Sequence, residues 1–158
     1  MASICGEKIF CSKSEFPPEW NVVTVTPDLE ISTERARSIL PAEIPRKDAI
    51  HNVQRAAFLM AQLVQGRREG IREAMSDMLH QPYRARLIPG LKEALAMEDR
   101  EGLLGIALSG AGSSVIAFTD SHSEETGAAI SHIFQRSGLS SQVRFLKADN
   151  IGLTEEYL

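Results

Sequence analysis

The stretch Leu103-Leu104-Gly105-Ile106-Ala107-Leu108-Ser109-Gly110-Ala111-Gly112-Ser113-Ser114-Val115-Ile116-Ala117-Phe118 settles the architecture of this chain. Aliphatic residues dominate Leu103 to Leu108 and again Ser114 to Phe118, with the small residues Ser109 to Ser113 between them. Such a pattern reads as strand, tight loop, strand. The Gly110-Ala111-Gly112 core is not a dinucleotide fingerprint, because the third glycine of that motif would stand at position 115, which is Val115. The residues that follow favour a strand, so no helix amino terminus faces the loop to hold a phosphate. From the residues themselves the loop is either a glycine hairpin turn or a bare floor that lets a backbone or a ligand approach closely.

Downstream, Ser121-His122-Ser123-Glu124 fits a capping box opening a helix that Gly138 closes. Val143 to Leu146 is a last apolar strand, and Ile151 to Leu158 offers a further edge. Upstream, the β-branched run Asn21 to Thr26 is a strand closed by Pro27-Asp28, and Ser32 caps a short helix through Leu40 that Pro41 stops. After Pro45 comes the strongest helical pattern in the chain, ended by Gly66. Ala49, Ile50, Val53, Ala56, Ala57, Met60, Leu63 and Val64 recur at steps that predict one apolar face seeking a core. A third helix is expected over Arg68 to Leu79 and another over Leu91 to Asp99. The proline-bracketed segment His80 to Gly90 between them is expected to be a linker, with Gln81 and Ile88 extended because each precedes a proline. The fold class is therefore α+β, a small antiparallel sheet with helices packed on one face. Residues 1–19 show no period and read as a lead-in or the stub of a strand.

The length of 158 residues suits one domain, by a prior of ~150 residues per domain. The net charge of −4 lacks the basic stripe that phosphate backbones require, so nucleic acid is excluded as a partner. No apolar run approaches the ~20 residues that span a bilayer, and Met1 to Phe10 do not form a secretory signal. Cys5 and Cys11 lack a CxxC spacing and read as free thiols of a cytoplasmic protein.

Several polar groups invite a functional reading. Arg84 and Arg86 stand two apart, which in an extended chain puts both guanidinium groups on one side, ready to clamp a carboxylate, unless both are simply solvated. Thr33 and Arg37 share one face of the short helix, either as an anion-holding pair or as a plain cap and a surface cation. His51, His80, His122 and His132 make no metal-ligand spacing, and neither Ser109 nor Ser114 has a partnered base. No catalytic residue and no metal ligand is assigned.

Three ordered segments together resemble the homoserine kinases of the GHMP kinase superfamily. These are Val25-Thr26-Pro27-Asp28-Leu29-Glu30-Ile31-Ser32-Thr33 running on to Ala36-Arg37-Ser38-Ile39-Leu40-Pro41, then His80-Gln81-Pro82-Tyr83-Arg84 with Leu87-Ile88-Pro89, then Gly105 to Ser114. Asn52-Val53-Gln54-Arg55-Ala56 falls where that family has a comparable helix. The resemblance covers about Asn21 to Ile151. It implies a ferredoxin-like GHMP kinase C-terminal domain over residues 20–158, with residues 1–19 left from a preceding lobe. It implies ATP-dependent O-phosphorylation of L-homoserine in threonine biosynthesis, with ATP and Mg2+ as cofactors and a homodimer as the assembly. Thr33, Arg37 and Arg84 match positions that hold the amino-acid substrate, and Ser109, Gly110, Ala111 and Gly112 match the glycine loop of the active site. Arg86 matches no family role.

Two departures stand out. Ser113 replaces the usual proline, which is expected to loosen the loop. The glycine- and serine-rich phosphate loop of the family's amino-terminal half has no match, so the chain looks like the carboxy-terminal half, inactive by itself, with ATP and Mg2+ held by the other half. Two other functions fit the residues: a non-catalytic amino-acid-binding module, and a GHMP kinase acting on a different small alcohol.

Overall fold

The computed structural model describes residues 2–152. Its centre is a four-stranded antiparallel sheet of β3 (Asn21–Pro27), β4 (Leu103–Leu108), β5 (Val115–Thr119) and β6 (Ser141–Leu146), in the order β4-β5-β3-β6. Counted from β3, that is the 4-1-3-2 order of a ferredoxin-like sheet read from β6. The strands expected at Asn21, Leu103, Ser114 and Val143 are all present within two residues of their expected starts. A separate hairpin, β1 (Ala2–Cys5) with β2 (Lys8–Cys11), occupies the lead-in and is exposed throughout. Cys5 and Cys11 are free and exposed on it. The edge expected at Ile151 to Leu158 lies almost wholly outside the described residues, and Ile151 and Gly152 themselves are not strand.

Alternation along the strands sends side chains into two clusters. Val23, Val25, Ile106, Val115 and Ala117 face α5 (Leu91–Leu95) and α6 (Ser123–Arg136), and there pack on Leu91, Ile130 and Phe134. That is the helix-covered face the sequence predicts. Leu104, Ala107, Ile116 and Phe118 point the other way onto Trp20, Ile71 and Met75. This second face is capped by α3 (Ile71–Ala74), and by Leu59 and Leu63 of α2 (Arg46–Gln65). Among the described residues, no helix is long and apolar enough to cross a membrane.

Some helices differ from expectation for local reasons. α2 ends at Gly66, whose left-handed φ of 62° suits glycine, as predicted. Most of its apolar row, Leu63 excepted, does not face the core: Ile50 is 45% exposed, Val53 71% and Val64 60%. The helix instead turns Leu59, Gln62 and Leu63 inward. The third helix shrinks to Ile71–Ala74, because Ser76 and Asp77 spend their side chains on nearby backbone groups, an alternative that competes with helix. α6 opens without the expected capping box, since the Ser121 hydroxyl donates to Asp120 and His122 at the cap carries no side-chain bond.

Candidate functional site

The short helix α1 (Thr33–Ser38) forms as predicted, with the Ser32 hydroxyl accepting the Arg35 N–H at 3.1 Å. Thr33 and Arg37 are both exposed on it, and neither makes a side-chain hydrogen bond or ion pair among the described residues. Ala36 between them is fully buried, which presses the helix onto the body of the domain.

The segment after Asp77 is helical rather than extended. α4 (Gln81–Arg84) carries Pro82 in its first turn, where a missing N–H costs nothing. Asp77 overrides the pre-proline preference at Gln81: its Oδ2 accepts the N–H groups of His80 and Gln81, each at 2.6 Å. Asn52 of α2 donates to Asp77 Oδ1 at 2.6 Å and accepts the Met78 N–H at 2.9 Å. Burial alone pushes the Asp77 carboxyl up, but the bonds from Asn52, from the Gln81 and His80 N–H groups and from the His80 ring together hold it below the usual carboxylate range. Gln81 then braces the turn, accepting the Leu108 N–H at 2.9 Å and donating to Met75 O at 3.2 Å.

This helical turn separates the two arginines expected on one side. Two residues apart on a helix, side chains diverge. Arg84 is 9% exposed, whereas Arg86 is exposed with its guanidinium 5.7 Å from the centre of the Tyr83 ring. Arg84 donates from Nη1 to Gly110 O at 2.7 Å and from Nε to Ala36 O at 3.3 Å. One guanidinium thus ties α1, α4 and the glycine loop together. Only two of its five N–H groups are used in these bonds.

The loop itself closes the β4–β5 hairpin, with the Ser109 N–H bonded to Ser114 O and the Gly112 N–H to Ser109 O. Gly110 and Gly112 adopt φ of 57° and 96°, and a Cβ on Gly112 would sit 2.9 Å from Ile88 Cδ1. The Gly112–Ser113 peptide is cis. Ser113, expected to loosen the loop, fastens it: its buried hydroxyl donates to Leu29 O at 2.7 Å, on the segment that leads into α1. A cavity of about 310 Å³ lies beside this junction, lined by Asn52, Arg55, Asp77, Gln81, Arg84 and Gly110 among others. Thr33 and Arg37 are not among its lining residues.

Asn52, Asp77 and Gln81, which line this cavity, escaped the sequence reading. The signal available was Pro82 with an aspartate a few residues before it, a helix-start pattern in place of the linker expected there.

The Asp77 arrangement carries a test. A carboxyl held low in the fold adds stability that is complete above its unfolded value of ~3.9 and is lost as pH falls through the folded value. Asp77→Asn is therefore expected to cost roughly 1–3 kcal/mol at neutral pH, because the amide keeps one acceptor for the His80 and Gln81 N–H groups but sets an NH2 against the Asn52 donor. In urea titrations across pH, the gap between parent and variant should narrow below pH ~4.

The family profile described as GHMP kinases C terminal matches residues 59–137, half of the chain. Homoserine kinase from Persephonella marina is 40% identical over 152 residues, which is 96% of this chain and 51% of that protein. Homoserine kinase from Aquifex aeolicus is 41% identical over 146 residues, 92% of this chain and 49% of that protein. The chain thus spans about half the length of the curated relatives it matches. The crystal structure of homoserine kinase from Cytophaga hutchinsonii superposes with a TM-score of 0.77 at 28% identity, covering 87% of this chain and 44% of that one. By the matched profile and by this shared sheet, the chain belongs to the GHMP kinase family, of which it carries the C-terminal domain.

Proposed function

We propose that this chain is the substrate-side half of a homoserine kinase, a cytoplasmic, ATP-dependent enzyme that phosphorylates the side-chain hydroxyl of L-homoserine on the route to threonine. The observation that carries the reading is the position of Arg84, bonded to Ala36 O on α1 and to Gly110 O in the glycine loop. Homoserine is small and zwitterionic, so charge-assisted hydrogen bonds of ~1.5–3 kcal/mol each are the main handle it offers. Arg84 presents its remaining N–H groups to the substrate carboxylate, and Arg37 and Thr33, exposed on α1 outside the cavity that Arg84 lines, are the further substrate-holding positions the resemblance implies. The loop from Ser109 to Gly112, where bulky side chains are missing, forms the floor between the two substrates.

Phosphoryl transfer asks the protein mainly to align the hydroxyl with the γ-phosphate and to offset developing charge. The glycine loop of this chain does not fit the phosphates of ATP, because it leads into β5 rather than into a helix amino terminus. In this reading ATP and Mg2+ are bound mainly by the amino-terminal half, with residues 1–19 as the end of that lobe and a homodimer as the assembly of the complete enzyme.

Incubated alone with ATP, Mg2+ and homoserine, the chain is expected to yield no O-phosphohomoserine by 31P NMR. Joined to the amino-terminal half of a homoserine kinase, it is expected to yield the product. Turnover by the chain alone, or a complete enzyme that prefers another alcohol over homoserine, would refute the reading.

A further inference from the structure

A second and larger cavity, of about 780 Å³, lies between α2, α3, α4 and α5 and against the outer strand β4. It shares Arg55, Asp77 and Gln81 with the cavity that Arg84 lines, but Arg84, Thr33 and Arg37 take no part in it. Its charge runs against that of the molecule. Arg55, Arg72, Arg86 and Lys92 line it beside the carboxylates of Glu73 and Asp77, in a chain of net charge −4. The two acids do not neutralise the four cations. Asp77 commits its oxygens to Asn52, His80 and Gln81, and Glu73 is exposed and in no ion pair among the described residues. Arg86 and Lys92 are likewise exposed and form no ion pair among the described residues. The other two cations are short of acceptors inside the protein. Arg55 Nε is buried with no hydrogen-bond partner among the described residues. Arg72 gives Nη2 to Met97 O, but its buried Nη1 has no such partner, and the Asp99 carboxylate 3.2 Å away is exposed to water. A guanidinium N–H removed from water without an acceptor is costly, and an anion in the cavity supplies what is missing.

We propose that this cavity is a second ligand site of the domain, for a small metabolite that joins a dianionic head to an apolar body. Guanidinium forks suit a phosphate monoester and a dicarboxylate alike, so the shared chemistry of the head is its double negative charge. The body follows from the rest of the wall. Met75, Leu95 and Ile106 give the cavity an apolar floor, and a bare phosphate would leave most of its volume empty. A few charged groups over a hydrophobic floor is the usual lining of a small-molecule site. The inference goes beyond the homoserine reading and stands without it, since none of the residues proposed to hold homoserine lines this cavity.

The test titrates the 158-residue chain by calorimetry and by 15N amide shifts. Phenyl phosphate and phenylsuccinate present the two kinds of head on one body, inorganic phosphate is the bare head, and benzyl alcohol is a neutral body. At least one of the first two is expected to bind with a Kd below about 1 mM, and the tighter of them identifies the head. Inorganic phosphate should bind at least about 10-fold more weakly, and benzyl alcohol not at all. Amide shifts should centre on Leu95, Ala96 and Ile106. Arg55→Gln should weaken binding at least about 10-fold, and so should Arg86→Gln combined with Lys92→Gln. That pair is exposed, so the double variant should leave the urea midpoint of the chain unmoved. Failure of both phenyl compounds to bind would overturn the proposal, as would binding indifferent to both sets of variants. Inorganic phosphate or benzyl alcohol binding as tightly as the phenyl compounds would overturn it too, since head or body would then be idle. Shifts centred on Ser109 to Gly112 would assign the anion to the glycine loop and overturn it, while supporting a substrate site there. Binding as expected together with a complete enzyme that ignores homoserine would sink the functional reading and leave this site standing.

Discussion

Replacing Arg84 by alanine is expected to destabilise the chain by roughly 2–4 kcal/mol, because the buried Ala36 carbonyl and the more accessible Gly110 carbonyl both lose a charged donor. An unsatisfied buried acceptor carries a cost of about 1–3 kcal/mol and the bond to the more accessible Gly110 carbonyl about 0.5–1.5 kcal/mol, which together account for the range. Arg84→Lys should recover only part of it, since an ammonium lacks the planar fork that reaches two carbonyls on different segments at once. In the complete enzyme the same alanine variant is expected to raise the KM for homoserine by about 10- to 100-fold, the equivalent of one charge-assisted hydrogen bond, and the KM for ATP far less. Arg37→Ala, on an exposed side chain with no structural bond, should raise the homoserine KM without the loss of stability. Equal rises in both KM values for Arg84→Ala would show general damage and count against a carboxylate role.

Trp20→Ala should cost still more in stability, about 3–5 kcal/mol, as expected for emptying a large aromatic site in a packed core. Trp20 is 0% exposed and sits between the sheet and α3, edge-on to Phe16 at 5.8 Å and tilted against Phe118 at 6.3 Å. Its indole N–H is buried without an acceptor among the described residues, a liability of the packing. Trp20→Phe removes that orphan donor along with some volume, so it should cost clearly less than alanine. Urea unfolding followed by far-UV circular dichroism reads both variants, since the chain's only tryptophan is lost in each. If alanine and phenylalanine cost the same, the aromatic contacts carry none of the stability.

The sheet was legible because it depends on local signals. β-branched and aliphatic runs bounded by Pro27-Asp28 and by the small residues from Ser109 give the strands almost to the residue, and the family resemblance implies the ferredoxin-like class of the sheet. Helix α2 was legible in extent, since Pro45 and Gly66 are strong stops, yet not in orientation. Periodicity reports that a helix has an apolar face, and cannot say whether its own domain or another body covers it. The turn at Gln81–Arg84 departs from expectation because the preference against helix before proline is outweighed by the Asp77 carboxylate four residues upstream, a local signal, which the distant Asn52 amide holds in place. That turn also hid the divergence of Arg84 from Arg86, whereas the role of the Ser113 hydroxyl in pinning the loop to Leu29 rests on a contact far apart in sequence.

β4 is an outer strand of its sheet, and outer strands carry rows of unpaired N–H and C=O groups that invite foreign strands to add on. At the end of β4 nearest the glycine loop, that invitation is withdrawn by a side chain: the Gln81 carboxamide already occupies the Leu108 N–H. An incoming strand would have to evict an amide that is itself fastened to Met75 O. The brace that shapes the turn before Arg84 therefore also guards this edge against aggregation, and loosening it would expose the molecule to self-templated stacking.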